Sequence, residues 1–237
     1  VQFVAAEGFS GIGEVSDITF TSRETGELTT EPINVGTYDI RATFSEGQNY
    51  TGRANFAVGA FTITPKAITV DDITVTVPEQ APYTGEAIEV SYELVEGVTA
   101  DVTVTYAGEG LVDGKPVKVG TYTVTVVVAG SGNYTGEITI TKEFEIVKGT
   151  QPEPVVELSE NEVKITDKAP SLTLINSPKE GIATYSVNKE GIISIAEDGT
   201  ITLLGLGEVE ITVTYPETDN FNSSSATVTL NVTKGGL

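Results

Sequence analysis

The stretch Pro116-Val117-Lys118-Val119-Gly120-Thr121-Tyr122-Thr123-Val124-Thr125-Val126-Val127-Val128 decides the fold. After the glycine, Tyr122, Val124, Val126 and Val128 alternate with other residues. Such a period of two puts one face of a strand into a core and the other toward solvent. The same words occur 84 residues earlier, as Pro32-Ile33-Asn34-Val35-Gly36-Thr37-Tyr38. At that offset Asn49-Tyr50-Thr51-Gly52 returns as Asn133-Tyr134-Thr135-Gly136, and Asp17-Ile18-Thr19-Phe20-Thr21 as Asp101-Val102-Thr103-Val104-Thr105. One residue out of step, Phe61-Thr62-Ile63 meets Phe144-Glu145-Ile146. One module is written twice.

A third copy keeps the skeleton. Gly207 stands 13 residues before Asn220-Phe221, as Gly36 stands before Asn49-Tyr50 and Gly120 before Asn133-Tyr134. Val209, Ile211, Val213 and Tyr215 then take the places of Tyr122, Val124, Val126 and Val128. Each copy passes through a polar loop carrying an aromatic residue into a closing strand, such as Val228, Leu230 and Val232.

The second copy reads as strand runs over 68–77, 87–93, 101–107, 118–128 and 137–147, with turn chemistry between them. Dense turns and period-two patterning exclude a parallel α/β arrangement. The expected fold is all-β: three tandem β-sandwich modules arranged end to end, over 1–66, 67–149 and 153–237. Thr64-Pro65-Lys66 and the proline-bearing segment 148–154 are the linkers. The first copy has no counterpart to 67–84. The reading therefore expects its missing strand to come from elsewhere, either from upstream residues or from another chain.

Composition narrows the function. With 13 basic against 34 acidic residues, the net charge of −21 repels nucleic acid and anionic membrane surfaces. Cysteine and histidine are absent, so disulfides, thiol nucleophiles and imidazole chemistry are absent too. No apolar run reaches the roughly 20 residues that span a bilayer. Catalysis would rest on facing carboxylates, and no such pair is legible, nor a phosphate loop or nucleophile elbow. No cofactor is expected. Calcium is the one metal weighed, with Asp71, Asp72, Glu217 and Asp219 as candidates, although turn and surface roles account for them equally. Asp71 and Asp72 read as strand neighbours facing opposite ways. The loop aromatics Tyr50, Tyr134 and Phe221 are candidates for contact with a glycan or partner protein, against the alternative that they close the ends of their sandwiches. Lys164 and Asn231 are rejected as a cross-linking pair because strand parity turns both outward.

The first two copies resemble the MBG-type modules of large bacterial surface proteins. The second carries that family's Tyr-x-Gly as Tyr83-Thr84-Gly85, and both carry the Gly-Thr-Tyr strand, the Asn-Tyr loop and the closing Phe-x-Ile. The third copy resembles a group 2 bacterial Ig-like domain through Tyr185-Ser186-Val187, Ile193-Ser194-Ile195, Asp198-Gly199-Thr200-Ile201 and Gly205-Leu206-Gly207-Glu208-Val209. It lacks that family's tryptophan, and Tyr185 takes its place on the central strand. The resemblances imply Ig-like sandwiches displayed outside the bacterial cell, as a structural spacer or as part of an adhesin contacting protein or glycan. They also imply phage decorations or fibres, whose modules would contact neighbouring subunits.

Overall fold

The computed structural model describes residue 4 and residues 7–236, and within them every regular element is a strand apart from one short 3-10 turn. By contact density the chain divides into two compact units. One comprises Val1–Thr76, Ser91–Val104 and Thr125–Thr141; the other comprises Val77–Val90, Thr105–Val124 and Lys142–Leu237. The division crosses the second repeat copy and coincides with neither linker. Both linkers lie inside a compact unit.

The second and third copies share one topology. In the second, the main sheet has the order Gln80–Pro82, Glu137–Val147, Gly120–Gly130, Ala100–Ala107. In the third, the order is Glu162–Lys164, Ser224–Thr233, Gly207–Tyr215, Thr184–Val187. In each, a three-residue strand lies parallel to the closing strand. Short antiparallel ladders form the opposite layer. Ile73–Thr76 pairs with Ser91–Leu94 in the second copy. In the third, Val156–Leu158 pairs with Leu172–Leu174, and Ile193–Ile195 with Ile201–Leu203. The third core runs across both layers, joining Val163, Val209, Ile211, Leu230 and Val232 of the main sheet to Ile193 and Ile201.

The alternating residues are buried as their period requires. Tyr122, Val124, Val126 and Val128, like Val209, Ile211, Val213 and Tyr215, are all at most 1% exposed. Each fully buried side chain of this size is worth about 1.5–3 kcal/mol in transfer free energy. The landmark glycines recur for a backbone reason: Gly36, Gly120 and Gly207 have φ of 152°, 154° and 132°, where a Cβ is strained. Two residues on, Tyr38 and Tyr122 repeat one contact set. Each hydroxyl donates to a carbonyl four residues back, Asn34 at 2.9 Å and Lys118 at 2.6 Å. Each ring stacks on the Phe of the closing Phe-x-Ile, at 5.6 Å in both copies. This pairing is the physical content of the Gly-Thr-Tyr…Phe-x-Ile repeat.

The first copy keeps only part of the pattern. Its antiparallel sheet has the order Leu28–Thr29, Val15–Ser22, Gly36–Phe44, Arg53–Ile63. Among the described residues no strand lies parallel to Arg53–Ile63, which forms an edge. Phe61 and Ile63 are half-buried there, whereas their counterparts Phe144 and Ile146 are buried.

Three details of the sequence reading need correction. The 68–77 run is not one strand: a 3-10 turn at Val70–Asp72 precedes the strand Ile73–Thr76. Asp71 and Asp72 therefore sit on a turn, because the Asp72 carboxylate accepts the Thr69 backbone N–H at 2.8 Å and closes it. The 87–93 run becomes strand only at Ser91–Leu94. Tyr185 is half-buried on Thr184–Val187, the edge of its sheet rather than the centre.

Candidate functional site

The features that recur outside the cores are the aromatic loops, and two of the three grip a linker. In the first compact unit, Tyr134–Thr135 pairs in parallel with Lys66–Ala67. The Lys66 N–H donates to the Asn133 carbonyl at 2.9 Å and the Ile68 N–H to the Thr135 carbonyl at 2.8 Å. The Lys66 ammonium lies 5.3 Å from the centre of the Tyr134 ring and 2.8 Å from the Asp72 carboxylate. From the same loop, the Asn133 side-chain oxygen accepts the Val35 N–H at 2.8 Å, and its amide donates to Asn34 at 3.2 Å. One loop thus holds its own incoming linker and the Asn34-Val35 turn of the preceding copy.

Lys66 first, and then Thr69, hold the Asp72 carboxyl below the ordinary aspartate range, while Asp72 raises Lys66. A lowered value in the fold means that Asp72 stabilises fully above its unfolded value, about 3.9. That stabilisation is lost as the pH falls through its own, lower value. Asp72→Asn is therefore expected to flatten the acid limb of the stability curve. In thermal melts from pH 5 to pH 2.5 the variant should lose less stability than the parent. Parallel acid limbs would contradict the assignment.

The second junction, inside the other compact unit, is built alike. Phe221–Asn222 pairs in parallel with Gly149–Thr150, with N–H donations from Gly149 to Asn220 at 2.9 Å and from Gln151 to Asn222 at 3.2 Å. Phe221 is buried. The Tyr83 ring meets it edge-on at 5.2 Å, and the Lys179 ammonium lies 5.3 Å from its centre. A Cβ on Gly149 would stand 2.5 Å from the Tyr83 carbonyl oxygen and 3.0 Å from the Phe221 ring, so only glycine fits. Gln151 is buried and satisfied: its amide donates to the carbonyls of Glu180 and Pro216, and its oxygen accepts the Lys179 N–H. Lys148 pairs with Glu217 at 2.5 Å. Sequence reasoning missed Gln151, a polar residue in a proline-rich linker that looks like a solvated spacer.

Tyr50, the third loop aromatic, differs. It is 42% exposed and tilts against Phe9, itself 55% exposed, at 6.1 Å. Asn49 donates through its backbone to the Gly11 carbonyl and through its side chain to that of Ser10. The structure thus places Tyr134 and Phe221 on linkers and leaves Tyr50 in solvent.

The acidic candidates do not come together. Asp72 and Glu217 are engaged by Lys66 and Lys148, and Asp71 and Asp219 are exposed. Among the described residues, no three His, Cys, Asp or Glu side chains gather as a metal would require. A shallow concavity of about 290 Å³ is lined by Glu24, Glu27, Glu31, Asn34 and Tyr38. There the Glu24 carboxylate accepts the Thr37 N–H, which lowers its pKa, the opposite of what a general acid needs. Lys164 is exposed, and Asn231 is half-buried beside Glu162.

With the double junction in view, family comparison places the repeat. The chain belongs to the MBG domain family, whose model matches residues 11–67 and 68–150. Among solved structures it is similar to human protocadherin-24 EC1-2, at 14% identity over 67% of this chain and 93% of that one, with a TM-score of 0.32. It is also similar to the S-layer protein SbsC, residues 31–844, at 14% identity over 91% of this chain and 37% of that one, with a TM-score of 0.33. Murine CEACAM1b matches at 10% identity over 91% of this chain and the whole of that one, with a TM-score of 0.27. No curated protein matches the chain.

Proposed function

We propose that this chain is a structural spacer, an array of Ig-like modules in a bacterial cell-surface or other extracellular protein. Its modules are 1–66, 67–149 and a group 2 bacterial Ig-like module at 153–237. The observation that carries the reading is the repeated junction, in which an Asn-aromatic loop grips a linker. Backbone hydrogen bonds that fix a linker remove the freedom of a tether, which suits a part that holds something at a set distance. The two MBG matches and the high negative charge, which keeps a long exposed surface soluble, agree with it. No helix among the described residues is long and apolar enough to cross a membrane. The array does no catalysis in this reading: of the acidic candidates, Asp72 and Glu217 are paired with lysines, and the Glu24 carboxylate in the concavity accepts the Thr37 N–H.

A second reading, contact with a glycan or protein, is favoured at one place only, where Tyr50 and Phe9 stand exposed together. Amide exchange at the two linkers tests the leading reading: gripped linkers exchange as slowly as strands.

A further inference from the structure

The second copy shows what its own incoming segment does. Residues 66–84 meet the rest of that copy at three places. Lys66 and Ile68 donate to the carbonyls of Asn133 and Thr135 in the aromatic loop. Ile73–Thr76 pairs with Ser91–Leu94. Gln80–Pro82 lies parallel to the closing strand, where the Glu145 N–H donates to Glu79 and the Val147 carbonyl accepts the Tyr83 N–H at 2.8 Å. The segment buries Ile68, Ile73, Val75 and Ala81.

All three receiving elements have counterparts in the first copy. At the repeat offset, the carbonyls of Asn49 and Thr51 correspond to those of Asn133 and Thr135. Residues 7–10 correspond to Ser91–Leu94, but residues 7 and 8 form a turn and residues 9 and 10 belong to no regular element, with Phe9 exposed. The Thr62 N–H and the Thr64 carbonyl, on the outer edge of Arg53–Ile63, correspond to the Glu145 N–H and the Val147 carbonyl. Thr37, opposite Thr62 in the ladder, donates its N–H to Glu24 and accepts the Arg23 N–H at its carbonyl, so the Thr62 N–H faces outward, and none of these four backbone groups has a partner among the described residues. Phe61 and Ile63, which such a segment would cover, are only half-buried.

We propose that the first copy is an acceptor for an extended polypeptide segment with the chemistry of residues 66–84. The segment would lie against the Asn49–Thr51 loop and run parallel to the outer edge of Arg53–Ile63. Its recognition elements are a basic residue over the Tyr50 ring, as Lys66 lies over Tyr134, then an alternating apolar strand, then a small-apolar-Pro-Tyr end. Backbone pairing supplies affinity and the alternate side chains supply register. A strand edge with half-covered aromatics beside it is otherwise an aggregation hazard.

The test adds a synthetic peptide spanning residues 66–85 to the full chain and follows amide exchange by residue. The expected result is a saturable one-to-one complex in which the amides of residues 49–52 and 61–64 slow by about tenfold or more, the scale of one or two backbone hydrogen bonds. A Tyr83→Pro peptide, lacking the donor for the Thr64 carbonyl, should bind about tenfold more weakly. So should the parent peptide on a Thr62→Pro chain, because proline is tolerated where an edge N–H points outward. The peptide variant cannot unfold the chain and so keeps the test interpretable if the chain variant fails to fold. The proposal is overturned by no protection at 61–64 at saturating peptide, or by protection confined to 133–147, where the peptide would merely displace the native segment. It is also overturned if the edge is already protected by self-association of the chain, which would make a second copy the occupant.

Discussion

Tyr122→Ala is expected to destabilise the middle module by about 3–5 kcal/mol. The ring is 1% exposed and stacks on Phe144, with Val77, Tyr83, Ile88, Tyr106 and Leu111 packed around that pair. Gly110 closes the top so tightly that a Cβ there would stand 2.0 Å from the tyrosine hydroxyl oxygen. The surroundings are therefore already at contact distance and cannot collapse into the space left behind. Tyr122→Phe separates the two parts of the effect. It keeps the ring and removes the donation to the Lys118 carbonyl, leaving a loss of about 1–1.5 kcal/mol. Denaturant titration of both variants checks this. Equal losses would mean that the hydroxyl, and not the stacked ring, holds the module.

Phe221→Ala is expected to cost about 3 kcal/mol and to free the second linker. Phe221 is 4% exposed, and Tyr83, Lys179 and the Gly149 backbone enclose it. Its repeat counterpart is the control: Tyr50→Ala, in solvent, should change stability by no more than about 0.5 kcal/mol. A ligand-binding role for the loop would give neither pattern, since a residue kept for a ligand need not stabilise the free protein. Denaturant midpoints for the two variants settle the comparison, and similar losses at 50 and 221 would contradict the division of roles.

The cores were legible because a half-buried strand writes its geometry into every second residue. Tyr122 through Val128 and Val209 through Tyr215 needed no knowledge of their partners. The landmark glycines were legible as spacing, while their reason, a positive φ, was not. Lost to the sequence was everything decided at long range. A two-residue parallel pairing of Lys66-Ala67 with Tyr134-Thr135 has no periodicity, so for Tyr134 and Phe221 the sequence offered partner contact or packing within the module, and their pairing with the chain's own linkers came only with the structure. Asp72 was misread for a nearer reason. Thr69 and Asp72 three residues apart carry a capping signature, yet the surrounding Ile, Val and Thr residues outvoted it in favour of strand. At long range, too, the structure leaves the Arg53–Ile63 edge without a parallel strand among the described residues.

The recurring aromatic loops at 133–135 and 220–222 grip linkers. Hydrogen exchange at four amides, those of Lys66, Ile68, Gly149 and Gln151, tests it most directly, because each donates to a loop carbonyl. They should exchange within about tenfold of neighbouring sheet amides such as Val126 and Ile211, and Phe221→Ala should release Gly149 and Gln151 while leaving Lys66 and Ile68 protected. Exchange of all four at the rate of an unstructured peptide would contradict the account, and the loops would then be free to serve a ligand.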